Sequence, residues 1–162
     1  MAPMPIPVTT YDLLRTSRFR TTYELRDEQG ATVATLRIGS GEARSAIAGT
    51  IESADRGWEL RRTPRSRTLE AVDAEEAVDL RCQGDAIELP RLDHAMRWRR
   101  RARLSAYGSL SLASPVDPKQ EEAWATLRPR RGSVPGYVVT TAGDLPEPEL
   151  VLLSAAYDLL RG

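Results

Sequence analysis

Leu145-Pro-Glu-Pro-Glu-Leu-Val-Leu-Leu-Ser-Ala-Ala-Tyr-Asp-Leu-Leu-Arg-Gly162 is the stretch on which the fold turns. From Leu150 to Leu160 only Ser154 and Asp158 are polar. Those two are four apart, so on a helix they share one narrow stripe. A surface helix is apolar on one side, whereas one apolar nearly all round is buried on most of its circumference. The run is about 11 residues long, short of the ~20 that cross a bilayer as a helix. Pro146, Glu147, Pro148 and Glu149 precede it. Proline in the first turn and carboxylates near the positive end of the helix dipole mark a helix N-terminus. The stretch therefore predicts a central helix over 148–161, with the rest of the chain wrapped around it.

Short strands supply the wrapping. Residues 1–8 are proline-rich and read as an extended lead-in, and Thr9–Arg15 as a short helical turn. In Ser17–Arg26 the residues Phe19, Thr21, Tyr23 and Leu25 alternate with polar ones, the mark of a half-buried strand. Asp27-Glu-Gln-Gly30 is a turn with a glycine able to take positive φ. Ala34, Leu36 and Ile38 then line one face of a return strand. Glu42–Ser53 is open to helix through its alanines, but Ile47, Gly49 and Ile51 followed by a turn and Trp58-Glu-Leu-Arg61 read as a second hairpin. Leu69–Leu80 favours helix on propensity and fits two strands around Asp73–Glu76 equally well; its strand neighbours tip the balance. Ile87–Leu89, Met96–Ala106, Ser109–Ala113 and Gly136–Thr141 read as strands, while Glu121–Arg128 fits either type. About 10–12 short strands at roughly ten-residue spacing, then one helix, predict a mainly β domain. The expected form is a closed or nearly closed antiparallel barrel around the C-terminal helix, with residues 1–162 forming one domain.

The totals exclude several classes. Basic and acidic residues balance at 23 each, so no global field recruits nucleic acid or a membrane surface. Lys119 is the one lysine among the 23 basic residues, leaving 22 arginines, a bias that fits a GC-rich, bacterial genome. Cys82 and His94 each stand alone, which excludes an internal disulfide and histidine- or cysteine-rich metal centres. The proline-rich N-terminus has no signal-peptide pattern, and a cytoplasmic location is expected.

Two stretches carry a family likeness. Tyr23-Glu-Leu-Arg-Asp-Glu-Gln-Gly-Ala-Thr-Val33 is similar to an early hairpin, and Leu150-Val-Leu-Leu-Ser-Ala-Ala-Tyr-Asp-Leu-Leu160 to the terminal helix, of the tubby C-terminal-like superfamily. That superfamily includes the LURP-one-related proteins and the phospholipid scramblases. The resemblance implies a roughly twelve-stranded barrel threaded by its last helix, and it implies binding of phosphoinositide or phospholipid. No lipid-binding or calcium-binding motif of the family is present to be carried over.

Among polar features the sharpest is Arg97-Trp-Arg-Arg-Arg-Ala-Arg103. On a strand, Arg97, Arg99, Arg101 and Arg103 share a side at ~6.7 Å spacing, a ladder suited to phosphate oxygens, which arginine meets with paired hydrogen bonds. A solvated face or a charged edge against aggregation accounts for the same pattern. Arg61, Arg62, Arg65 and Arg67 form a second cluster, and Arg128, Arg130 and Arg131 a third. The acidic segment Glu70, Asp73, Glu75, Glu76 and Asp79 lacks the spacing of a calcium loop and reads as solvated surface or as compensation for the arginines. Asp93-His94 specifies no nucleophile with a base, and Cys82 reads as a small buried hydrophobe. Trp58, Trp98 and Trp124 read as core or rim anchors. The expectation is a non-enzymatic binding or scaffold protein without a cofactor, contacting anionic phospholipid or another phosphorylated ligand through the arginine row. A protein–protein interaction module is the alternative.

Overall fold

A computed structural model describes residues 8–16, 21–39, 47–63, 68–84, 86–92, 94–100, 110–113, 123–131, 136–143 and 145–161. It is mainly β, with one C-terminal helix. The strands are β1 (Val8–Arg15), β2 (Thr22–Arg26), β3 (Thr32–Ile38), β4 (Ile47–Ser53), β5 (Gly57–Thr63) and β6 (Thr68–Val72). They continue with β7 (Val78–Gln83), β8 (Ala86–Leu89), β9 (His94–Arg100), β10 (Leu110–Ala113), β11 (Ala123–Pro129) and β12 (Gly136–Ala142). Helix α1 spans Pro148–Arg161. Each strand pairs antiparallel with its sequence neighbour. β12 also pairs with β1, from Val8 opposite Ala142 to Leu14 opposite Gly136, so the strand order is that of a closed barrel. At this seam Gly136 has no substitute: a Cβ there would collide with the Leu13 carbonyl oxygen.

Alternation builds the core. Tyr23 and Leu25, Ala34 and Leu36, Trp58 and Leu60, Ile87 and Leu89, Ala125 and Leu127, and Tyr137 and Val139 are all buried, each pair two residues apart on its strand. They join one cluster with the helix, in which every residue from Leu150 to Tyr157 is buried. The helix backbone comes nearest β3 and β4, the strands whose buried positions include the small Ala34 and Gly49. Small side chains on that wall let the helix axis approach it.

Two local readings change. Thr9–Arg15 is not a helical turn but most of β1, which lies between β12 and β2 and buries Leu13 and Leu14. Ladders on both sides of the segment override its weak local preference. Ile47 shares parity with Gly49 and Ile51 yet is exposed, because the register shifts between Ile47 and Gly49 and turns the strand over. Leu69–Leu80 falls into β6 and β7, and of Glu121–Arg128 the described residues, from Ala123 on, fall into β11.

Two turns share one design. In Asp27-Glu-Gln-Gly-Ala31, Asp27 Oδ1 accepts the backbone N–H groups of Gln29 and Ala31, both at 2.9 Å, and Gly30 takes φ +81°. In Asp73-Ala-Glu-Glu-Ala77, Asp73 Oδ1 accepts from Glu75 and Ala77 at the same distance. Here Glu76 occupies the glycine position, at φ +63°. A side chain with a Cβ resists that conformation. Arg61 holds the Glu76 carboxylate with two hydrogen bonds, at 2.6 and 2.9 Å, and the same contact draws the Glu76 carboxyl below its ordinary pKa.

Candidate functional site

Because successive strands alternate in direction, every second connection leaves from the same end of the sheet. The β2–β3, β4–β5, β6–β7 and β8–β9 turns and the β12–α1 link lie at the end where the helix begins. The ends of β5, β7, β9 and β11 lie where it finishes. Side-chain contacts fasten the helix at both ends, Arg56 to Glu147 at its start and Arg62 to Tyr157 and Trp98 to Asp158 at its finish, and the two ends differ in charge.

Near the helix start lie Asp27, Glu28, Asp55, Asp73, Glu75, Glu76, Asp79, Glu147 and Glu149, with the fewer guanidiniums of Arg26, Arg56, Arg61 and Arg91 among them. A cleft of about 590 Å³ opens here, lined by Asp55, Arg56, Asp73, Glu75, Asp79, Arg91, Leu92 and Glu147 among others. Asp79 lies at its base, only 5% exposed. Its Oδ2 accepts the Trp58 indole N–H at 2.8 Å and an Arg56 N–H at 3.1 Å. Arg56 also grips both carboxylate oxygens of Glu147, at 3.0 and 2.8 Å, and stacks 4.6 Å above the Trp58 ring. Glu147 caps the helix, its carbonyl accepting the Val151 N–H at 2.9 Å, and does so at φ +46°. Among the described residues the two non-glycine positions at positive φ are thus glutamates held by arginine, Glu76 by the two-nitrogen fork of Arg61 and Glu147 by one nitrogen of Arg56 shared between both its oxygens. Arg91, from the 3-10 turn Pro90–Leu92, places Nε 3.2 Å from Asp79 Oδ1. The two are close enough to attract, but the direction is wrong for a hydrogen bond, and Oδ1 has no hydrogen-bond partner among the described residues.

At the helix finish the charge reverses. Arg15, Arg62, Arg128, Arg130 and Arg131 stand against Asp158 among the residues described near this end. Arg62 donates to the Tyr157 hydroxyl at 2.8 Å, and the Trp98 indole donates to Asp158 Oδ2 at 3.0 Å. Asp158 is half-buried where it accepts from this indole. Ser154, on the same stripe, is fully buried and its Oγ has no hydrogen-bond partner among the described residues. A helix carries partial positive charge at its start and partial negative charge at its finish, so acidic and basic ends oppose that dipole. The zero net charge conceals a polarised molecule.

The predicted arginine row is present in part. β9 runs from His94 to Arg100, with Arg97 exposed and Met96 and Trp98 buried, as alternation requires. Arg99 belongs to β9, but its side chain lies outside the described residues, as does that of His94. Arg101, Arg103, Arg65, Arg67 and Asp93 lie outside them altogether. The described arginines of the three clusters, Arg61, Arg62, Arg97, Arg128, Arg130 and Arg131, lie on or just after β5, β9 and β11, strands that all finish at this end. β5 and β11 stand on opposite sides of the strand order, so these described arginines are spread around the sheet rather than forming a single ladder.

On the outer wall arginines meet carboxylates. Arg61 faces Glu70 across β5–β6, Glu70 faces Arg81 across β6–β7, and Arg81 faces Glu88 across β7–β8. Arg81 donates to Glu70 at 3.2 and 3.0 Å, and Arg61 also donates to Glu59. The acidic segment therefore compensates arginines within the fold. No described group of three or more His, Cys, Asp or Glu residues is placed to hold a metal ion. In the sequence Asp79 is only one member of an acidic run, solvated or compensating arginines, and nothing marks it as the buried one. Its partners Trp58 and Arg56 are more than twenty positions away, and only the fold joins them.

Cys82, on β7, is kept protonated: burial, assisted by the negative charge of Asp158, pushes its thiol up to about 12. Since the thiolate is the nucleophile, the native protein at pH 8 is expected to resist iodoacetamide over hours, with alkylation appearing only in denaturant. Rapid alkylation of the native protein would contradict this burial.

No protein-family model matches the chain, and no curated protein or solved structure does so either. Among the described residues, no helix is long and apolar enough to cross a membrane.

Proposed function

We propose that this chain is a non-enzymatic binding protein, a tubby-like barrel around its C-terminal helix, whose arginine-bearing end contacts anionic phospholipid or another phosphorylated ligand. One observation carries the reading: arginines that the outer wall would pair with carboxylates are concentrated instead at the end where β5, β9 and β11 finish. Arg97, Arg128 and Arg131 are exposed, and no ion pair to a described residue accompanies them. Exposed guanidiniums without a carboxylate beside them favour oxyanions that accept forked hydrogen bonds. The polar residues near the helix support binding rather than catalysis, because Asp158 and Tyr157 each accept a hydrogen bond that fastens the helix to the sheet, while Asp79 accepts from Trp58 and from Arg56, the residue that holds Glu147.

Co-sedimentation with vesicles tests the proposal. At low salt the protein is expected to bind phosphatidylcholine vesicles containing phosphatidylserine or phosphoinositide several-fold better than phosphatidylcholine alone. Binding should fade as ionic strength rises and the Debye length falls from about 10 Å at 0.1 M toward 3 Å at 1 M. Gln at Arg97, Arg99, Arg101 and Arg103, or at Arg128, Arg130 and Arg131, should each weaken it. Competition by a soluble inositol polyphosphate would place recognition in the phosphate groups, and failure to compete would place it in the bilayer surface. Equal binding to neutral and anionic vesicles, with no binding of the soluble phosphate, overturns the proposal.

A further inference from the structure

We infer that the acidic cleft at the helix start binds a small organic polycation of the polyamine class. Five carboxylates, Asp55, Asp73, Glu75, Asp79 and Glu147, line the cleft against two guanidiniums, Arg56 and Arg91. Three negative charges are therefore left uncompensated at one concave surface, where low-dielectric walls concentrate the field. The arginines are already committed. Arg56 is shared between Glu147 and Asp79, and Arg91 between Asp73 at 3.6 Å and Asp79 at 3.2 Å. Asp55 and Glu75 are exposed and have no ion pair among the described residues.

The buried Asp79 points the same way. Its side chain is 4% exposed and contributes to the cleft lining, and Oδ1 lacks a hydrogen-bond donor. A buried carboxylate accepts up to four hydrogen bonds, and an acceptor left without a donor is costly. The group nearest Oδ1 belongs to Arg91, whose side chain is 55% exposed and thus able to swing aside. An entering N–H donor would take up the bond that Arg91 fails to make.

Three features select the ligand class. The cleft, at about 590 Å³, is far larger than a metal ion. No described group of carboxylates, histidines or cysteines is placed to coordinate one. Leu92 lies on the lining and is 51% exposed, an apolar surface among carboxylates. A polyamine alternates ammonium groups with methylene spacers, matching both kinds of surface, and the triamine spermidine, whose amines all stay protonated at neutral pH, carries about +3, equal to the deficit.

Calorimetric titration of the full chain with spermidine at low ionic strength tests this. The expected result is saturable binding with one spermidine per chain, weakened at least tenfold in the double variant Asp55→Asn, Glu75→Gln. Both substitutions lie on exposed side chains, so an unchanged thermal midpoint should accompany the loss. Asp79→Asn, which keeps an acceptor for Trp58, should weaken binding as well if it folds; the surface variant decides the question if it does not. Magnesium at the same charge concentration should displace spermidine only weakly. Absence of saturable binding, multiple weak equivalents, unchanged affinity in the double variant, or equal displacement by magnesium would each overturn the assignment. Vesicle binding at the opposite end is a separate measurement and is unaffected by either result.

Discussion

Removal of residues 148–162 is expected to leave a chain that does not fold. Leu150, Val151, Leu152, Leu153 and Tyr157 are buried without exception, and burying each such side chain is worth about 1.5–3 kcal/mol. Together they contribute on the order of 10 kcal/mol, comparable with the whole stability of a domain, about 5–15 kcal/mol. Truncation would also strip the inner face of the sheet, where Leu25, Leu36, Ile51, Leu60 and Leu127 pack in one cluster with the helix. A hollow of that size in an apolar interior collapses or aggregates. Circular dichroism and urea titration of the truncated chain read the outcome: insolubility or a non-cooperative transition is expected. A soluble truncation with a cooperative transition would show the helix to be peripheral.

Asp79→Ala is expected to lower stability by about 2 kcal/mol, measured as a fall in the urea midpoint at unchanged m-value. Breaking a fully buried ion pair costs about 3–5 kcal/mol, but that figure overstates the case here. Arg56 and Arg91 are 38% and 55% exposed and regain water when their partner is lost. The loss concentrates on the Trp58 indole N–H, left buried without its acceptor at a cost of about 1–3 kcal/mol, and on the weakened hold of Arg56 on the helix cap. Asp79→Asn should cost less, since an amide oxygen still accepts from Trp58. A change within about 0.5 kcal/mol for Asp79→Ala, the scale of ordinary surface substitutions, would mean the network contributes nothing.

The strands that were legible in the sequence share one property: their pattern is decided within the strand. Tyr23 and Leu25, or Tyr137 and Val139, show period 2 because one face meets the core and the other does not. β1 was illegible because its seven residues of pairing with β12 come from the other end of the chain, more than a hundred positions away. Ile47 misled because a bulge reverses the facing of a strand without altering its composition. Asp79 follows the same logic, sitting on a strand whose pairing with β6 is shifted between Ala71 and Val72. The arginine row was visible as composition and its strand as far as Trp98 as alternation, but its relation to the other two clusters depends on how many strands separate them.

The sequence by itself determined that a helix apolar on nearly every side must be enclosed, that short alternating strands would enclose it, and that acidic residues with proline would start it. These follow from local periodicity and from the cost of leaving apolar surface in water. The tertiary structure alone decided how the charges are sorted. Equal numbers of acidic and basic residues say nothing about position; it is the alternating direction of successive strands that sends acidic turns to the start of the helix and arginine-bearing strand ends to its finish. Likewise only the fold brings Trp58, Arg56, Asp79 and Glu147 together, because a hydrogen bond needs its partners within about 3 Å and chain separation carries no information about that distance.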